Sequence, residues 1–391
     1  MIHLDTLIDL YISLVFRNLY NSIMKMKSTR FLDKKIYFQI SRILIGFASL
    51  YSNLRIAWSI HPSILLYLIV LSTIALAFQI YAEHVGKYFP AYRQIALFSG
   101  LYLAFLTYHI STLIVTDLVG IFLSYDLSQL GLLVSIAITI YGRVHAHSIK
   151  TVSYTYKTNK LPAAHQYTIV QLSDLHIGEI IDHAYIHHVV CQTNALHPDL
   201  IVITGDVFNR TNIRKPKDID RIFAELAQLQ ACDGIFAICG NHDPSIDSPL
   251  WQDFLKRSNI IDLNNQSFIS KEINLIGRTR LVSNPTRIHL KGMMQSCDRS
   301  KPIVILDHDP SGIVEAQVQH ADLILCGHTH KGQFFPCTFF TRYWYGKDYY
   351  HGKHIQNGTC SIVSAGTGYF EIPVRIGTDN EIVKIQLQGI Q

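Results

Sequence analysis

Hydrophobic positions along the chain follow two regimes. From Ile43 to Gly142 they continue almost without interruption, and from residue 167 they come in short bursts divided by polar groups. A transmembrane helix needs about 20 consecutive apolar residues. Pro62–Ala82 and Gln94–Thr116 reach that length with no charge. Leu127–Gly142 is uncharged but shorter, and Ile43–Ile60 carries Arg55 near one end. Together they predict a helical transmembrane region of about four spans over residues 43–142. Ahead of it, residues 1–42 form a basic N-terminal segment. Leu4, Leu7, Ile8, Tyr11, Ile12 and Val15 recur there at helical spacing, the pattern of an amphipathic helix lying on a membrane or packed on protein.

The second regime reads differently. Residues 143–166 are polar and mixed in charge, and are expected to be a linker. After them, Tyr167–Leu172, Leu200–Thr204 and Ile235–Cys239 read as buried strands, separated by helical patterns near Asp182–Leu196 and at Ile219, Ile222, Phe223, Leu226 and Leu229. Ile273–Ile276, Ile303–Leu306, Leu323–Cys326, Ser361–Ser364 and Glu381–Leu387 follow as further strands. Alternation of this kind predicts an α/β sandwich over residues 167–391, with helices outside the sheets.

Composition sharpens the division. The chain is 49% hydrophobic and only 16% charged, against about 25% charged in an ordinary soluble domain. Six charged residues lie between Ile43 and Gly142, whereas 43 of the 231 residues from Leu161 onward are charged. One uniform soluble fold is excluded, and so is disorder. The net charge of +5 makes no case for nucleic-acid binding. With four spans, thirteen Lys/Arg fall on one side of the membrane and Arg55 alone on the other. The positive-inside bias then puts both termini, and the predicted α/β domain, in the cytoplasm as part of an integral inner/cytoplasmic-membrane protein. The seven cysteines all follow residue 190 and show no paired spacing, which suits a reducing compartment.

Candidate chemistry gathers at the ends of the predicted strands, where sites in α/β folds form. The first strand runs into Asp174-Leu175-His176, the second into Gly205-Asp206-Val207-Phe208-Asn209, and the third into Gly240-Asn241-His242-Asp243. Two later strands run into Asp307-His308-Asp309-Pro310 and Gly327-His328-Thr329-His330. In an extended chain, Asp-x-His and His-x-His put both side chains on one side. Imidazole with carboxylate and amide oxygens suits Mn, Fe, Zn or Mg, and no cysteine takes part. His183, His187 and His188 have helical spacing and read as a solvated face.

These five blocks, in this order, resemble the calcineurin-like metallophosphoesterases over about residues 161–391. The hydrophobic N-terminal region, Gly332-Gln333, Gly366-Thr367-Gly368 and Pro373-Val374-Arg375 resemble the membrane-anchored bacterial branch of that family. The resemblance implies a four-layer α/β/β/α sandwich and two divalent metal ions. Asp174, His176, Asp206 and His330 would hold one ion; Asp206 would bridge to a second held by Asn241, His308 and His328. Two such ions lower the pKa of a bridging water and clamp an in-line phosphoryl displacement. His242 would protonate the leaving oxygen or bind phosphate.

The chain departs from many relatives three residues after the bridging aspartate. It has Asn209 there, where those relatives carry the Asp that holds the catalytic histidine. An amide oxygen still accepts an imidazole N–H but stabilises an imidazolium less than a carboxylate does, unless Asp243 compensates. Lys331 and Arg375 are candidates to meet a substrate phosphate. The aromatic run Phe334–Tyr350 reads as core, or as a surface for an acyl chain or the bilayer. The expected function is a membrane-bound phosphoesterase acting on a phosphodiester or pyrophosphate, in a lipid-linked or nucleotide-linked substrate. The alternative is a non-catalytic membrane receptor or scaffold that keeps the fold.

Overall fold

The apolar bursts after residue 160 become the strands of two six-stranded sheets in a computed structural model that describes residues 31–85, 92–178, 180–209, 219–279 and 288–391. In the first sheet β2 (Gln166–Leu172), β3 (Leu200–Thr204), β4 (Ile235–Ile238) and β5 (Ile261–Asp262) run parallel. β12 (Asn380–Gly389) lies antiparallel beside β2, and β1 (Ile149–Thr158) pairs parallel with β12 at the edge. The second sheet is ordered β10 (Gly352–Gln356), β11 (Thr359–Val363), β9 (Leu323–Cys326), β8 (Ile303–Leu306), β7 (Asn274–Gly277), β6 (Gln266–Ile269), and its four inner strands are parallel.

Parallel strands covered on both faces should be apolar throughout, and β3, β4, β8 and β9 are buried at every position. Leu200 and Val202 of β3 face the other sheet, meeting Phe236, Val304, Leu323 and Leu325. Ile201 and Ile203 face outward onto Ile186, Val189, Phe223 and Phe254 of the helices His183–Asn194, Ile219–Leu226 and Pro249–Ser258. On the far side, Ile276, Ile305 and Ile324 pack on Leu290, Met293 and Ile313. The layers are helix, sheet, sheet, helix, as expected.

Two expectations change. Residues 143–166, expected as a linker, contain the ten-residue strand β1, in register with β12 from Ile149↔Asn380 to Thr158↔Gly389. Its alternately half-buried edge pattern reads as polar linker because only one side is covered. The region of about four spans is not upheld either. Helices do occupy Phe31–Ser59, Leu65–Val85, Tyr92–Leu123 and Ser128–His145. Among the described residues only Tyr92–Leu123 is long and apolar enough to cross a membrane, and Pro62–Phe78 is a shorter apolar stretch. Ser128–His145 ends in Arg143 and His145, and its last turn is taken up by the α/β domain: Gly142 O accepts from Arg375 N, and Ala146 O accepts from Asn380 Nδ2. The basic segment 1–42 lies outside the described residues as far as residue 30.

The chain divides into two units, Met1–Val70 and Leu71–Gln391. The first holds the Phe31–Ser59 helix and a short 3₁₀ turn, Pro62–Ile64, capped by His61. The second holds both sheets and the Tyr92–Leu123 and Ser128–His145 helices, and everything below concerns it.

Candidate metal centre

The carboxyl ends of β2, β3 and β4 in one sheet and of β8 and β9 in the other deliver the five motifs to one place. They arrive by a different route from the extended geometry expected. Asp174, His176, Asp206, His328 and His330 all have positive φ, between 48° and 72°. Non-glycine residues in this left-handed region are disfavoured by roughly 1–2 kcal/mol each, and such outliers gather where structure over-determines them for function. The chain turns sharply at each strand end, so every one of these side chains doubles back into the cleft between the sheets. The glycines opening the motifs permit the close approach. A Cβ on Gly240 would lie 2.1 Å from Asp206 Oδ1, and one on Gly327 would lie 2.3 Å from Asp174 Oδ2.

Two groups of potential ligands result: Asp174, His176 and His330, and Asp206, His308 and His328. In the first, His176 Nε2 and His330 Nε2 face each other at 3.0 Å, with His330 Nε2 3.3 Å from Asp174 Oδ1. In the second, His308 Nε2 lies 3.1 Å from Asp206 Oδ2 and 3.1 Å from Asn241 Oδ1, and the His308 and His328 rings are 5.0 Å apart. Asp206 Oδ2 is also 3.9 Å from His176 Nε2, so one carboxylate reaches both groups. The seven residues expected to bind metal therefore converge, with Asp206 between the two sets.

Neighbouring groups brace the ligands. Ser173 Oγ donates to Asp174 Oδ2 at 2.5 Å, and the His328 backbone N–H meets both Asp174 oxygens at 3.1 Å. The His242 backbone N–H donates to Asp206 Oδ1, and His308 Nδ1 lies 2.8 Å from the Thr204 carbonyl. Partners of this kind orient the ligands of metal sites.

Electrostatics prepare most of the site for cations. Burial holds the His176 imidazole down to about 3 and His328 down to about 4, and keeps His330 well below the ordinary value. A neutral imidazole is the form that offers a lone pair. Burial pushes Asp174 up to about 6. Burial also opposes charge on His308 and Asp206, but their mutual attraction wins: His308 rises to about 10 and Asp206 falls well below the usual carboxylate range. Two Nε2 atoms aimed at each other within a shell of carboxylate oxygens make a poor pair of acceptors and a good pair of ligands. The donor set thus fits divalent ions that accept nitrogen and oxygen together.

The remaining expected residues separate. His242 is half-buried at the mouth, its ring 5.4 Å from that of His176. Asn209, expected to hold it, does not: the Asn209 Oδ1 is buried with no hydrogen-bond partner among the described residues. Asp243 does not compensate, because its two oxygens accept the backbone N–H groups of Phe208 and Gly240 and tie two strand-end loops together. Burial, then the Asp206 charge, pushes the Asp243 carboxyl up to about 7. Lys331 is partly exposed beside His330. Arg375, expected at a substrate phosphate, is fully buried instead. Its guanidinium donates to Asn380 Oδ1 (2.6 Å) and to the carbonyls of His330 (2.9 Å), Ala365 (2.8 Å) and Gly368 (2.6 Å). It clamps the loop behind His330 and has no face left for a substrate. His183 and His187 are not simply solvated, since both meet the buried carboxylate of Glu225.

Two aromatic residues not singled out from the sequence line the mouth. Phe370 packs on His242 and His176, with ring centroids 4.4 and 5.1 Å away, and Tyr345 lies edge-on to His328 at 6.1 Å. Tyr345 belonged to an aromatic run with no distinguishing spacing. Phe370 stands two residues past Gly368, and that neighbourhood was its only signal.

Comparison with known proteins agrees with this geometry. Residues 167–332 match the family model of the calcineurin-like phosphoesterases. A metallophosphoesterase from Helicobacter pylori is 31% identical over 56% of this chain and 59% of its own length. A transmembrane protein with metallophosphoesterase domain from Danio rerio is 30% identical over 68% of this chain and 63% of its own. The chain thus spans about three fifths of each of these relatives. A metallophosphoesterase from Aquifex aeolicus is 27% identical over 66% of this chain and 98% of its own length. With its strand-end motifs and two-sheet core, the part of the chain from residue 167 is a calcineurin-like metallophosphoesterase domain.

Proposed function

We propose that the protein is a membrane-attached phosphoesterase that hydrolyses a phosphodiester or pyrophosphate bond with two divalent ions, Mn, Fe, Zn or Mg. Asp174, His176, Asp206 and His330 would hold one ion, and Asp206, Asn241, His308 and His328 the other. The observation that carries this reading is the placement of Asp206 within reach of both ligand groups, because two cations at close range repel unless a carboxylate lies between them. When bound, such ions acidify a water and offset the charge that builds on a phosphoryl group. The chain's own residues supply the rest. His242, held by its backbone N–H on Asp206, would protonate the leaving oxygen from the mouth. Lys331 would meet the phosphoryl charge, and Phe370 would exclude water above His176. The cytoplasmic face of the inner membrane is the proposed location, and a lipid-linked or nucleotide-linked phosphoester the proposed substrate.

Hydrolysis of bis-p-nitrophenyl phosphate by the full chain, with and without Mn²⁺, tests the reading. We expect turnover that requires added metal and is lost in Asp206→Ala. A metal-loaded protein without turnover on this ester or on a panel of lipid-linked and nucleotide-linked phosphates would overturn it in favour of a scaffold, the role favoured by Asn209, whose Oδ1 has no partner among the described residues.

A further inference from the structure

The Tyr92–Leu123 and Ser128–His145 helices form a hairpin whose two halves differ. Along the near half, Gly100 lies against Pro373 and Glu371, and Ala104 and Tyr108 are buried with Phe334 and Val374 of the catalytic domain. Arg93 pairs with Asp182 at the start. Past Tyr108 the first helix runs on for fifteen residues to Leu123, about 22 Å at 1.5 Å per residue. Its packing there is inverted relative to a water-soluble hairpin. Small and hydroxyl residues line most of the seam: Thr116, Ser128, Gly131 and Ser135 are buried, as are His109 and Leu113, and Thr112 Oγ1 donates to Gly131 O at 2.9 Å. Most of the large apolar side chains point outward, with Leu118 at 53%, Phe122 at 86% and Leu133 at 65% exposure. Small residues inside and bulky apolar ones outside is how helices pack when lipid is the solvent.

The aromatic helix Cys337–Tyr345 continues this surface. Its Phe339, Phe340, Tyr343 and Trp344 are exposed on one face. It is fastened to the hairpin where Tyr108 Oη donates to Phe335 O, and Phe335 packs edge-on to Phe339 at 5.4 Å. From Lys331 to Lys347 the chain carries three cations and no acidic residue. Aromatic rings beside cations match the headgroup level of a membrane with anionic lipid.

We propose that the distal hairpin and the aromatic helix are one docking surface whose partner is a lipid bilayer, with the aromatic helix at headgroup level and the hairpin embedded in the near leaflet without crossing. A crossing would need about 30 Å of apolar length, more than the distal half offers, and Asp117 and Asp126 stand towards its tip. The surface consists of different residues from the metal site, so it stands or falls separately from the hydrolytic reading.

Lipid-depth quenching tests it on the full chain in bilayer nanodiscs containing phosphatidylglycerol. Trp251 is fully buried, so Trp58→Phe leaves Trp344 as the accessible fluorophore. A second protein, Trp58→Phe/Trp344→Phe/Phe122→Trp, moves the reporter to the hairpin. Brominated acyl chains should lower emission from both reporters by about half, at the shallowest bromines for Trp344 and deeper for position 122. Iodide on both sides should leave position 122 unquenched. Insensitivity of either reporter to bromine would overturn the surface, and iodide access at position 122 would overturn the embedded, non-crossing hairpin.

Discussion

Gly327→Ala should remove one of the two ions while leaving the fold in place. The added Cβ would sit 1.9 Å from Ser173 Oγ and 2.3 Å from Asp174 Oδ2, where an ordinary contact begins near 3.4 Å. Ser173 can rotate its hydroxyl away. Asp174 cannot follow without leaving the His328 N–H and Ser173 Oγ that hold it. Its carboxylate must therefore shift by about 1 Å, well outside the ~0.2 Å tolerance of a metal ligand. Misplacement of that size costs roughly 10²-fold in rate. Overpacking at one site costs about 1–3 kcal/mol, a fall in Tm of roughly 2–12 °C for a domain of this size. The assay is elemental analysis after desalting from excess Mn²⁺, with turnover and melting measured on the same sample. We expect stoichiometry to fall from about two to about one, because the nearest atoms to the new Cβ belong to Ser173 and Asp174 and not to Asp206 or His308. Ser173→Ala/Gly327→Ala relieves the 1.9 Å clash but not the other, and should not recover the ion. Two retained ions with undiminished turnover would refute the assignment of Asp174 as a ligand.

Other residues make separate demands. Arg375→Met leaves four buried carbonyl and amide acceptors without their donor and should destabilise the fold by about 2–5 kcal/mol; a normally stable variant with only a raised KM would restore Arg375 to the substrate. Metal loss on acidification should follow Asp174 rather than His176 and His328. The two imidazoles, held near 3 and 4, stay neutral well below the ordinary 6.5, whereas Asp174, raised to about 6, takes up its proton first, so its group should release an ion as pH falls through about 6. Unchanged metal content down to about pH 4 would contradict this. A chain beginning at residue 161 lacks β1 and bares the full edge of β12, so it should aggregate on refolding more than a chain beginning at His147, which lacks the same helices but keeps β1; equal monodispersity in size-exclusion chromatography would refute the structural role of β1.

What could be read from the sequence, and what could not, divides along a physical line. The seven ligand candidates were legible because their chemistry sits in the letters: His, Asp and Asn after apolar strands, each motif from the second strand on announced by glycine or aspartate. The reason they converge was not, since it lies in left-handed backbone at Asp174, His176, Asp206, His328 and His330 rather than in extended alternation. Arg375 shows the opposite failure. A guanidinium near a phosphate site looks like a phosphate ligand until burial shows that all its hydrogen-bonding faces inward. β1 went unread because an edge strand covered on one side alternates like a linker, and only its pairing with β12 identifies it. The apolar helices show the limit of length as a criterion. Tyr92–Leu123 has enough apolar residues to span a bilayer, yet Gly100, Ala104 and Tyr108 commit its near half to the protein, next to the loops that carry His330 and Phe370. The stretch that looked like a membrane anchor separate from catalysis is therefore partly a wall of the catalytic domain.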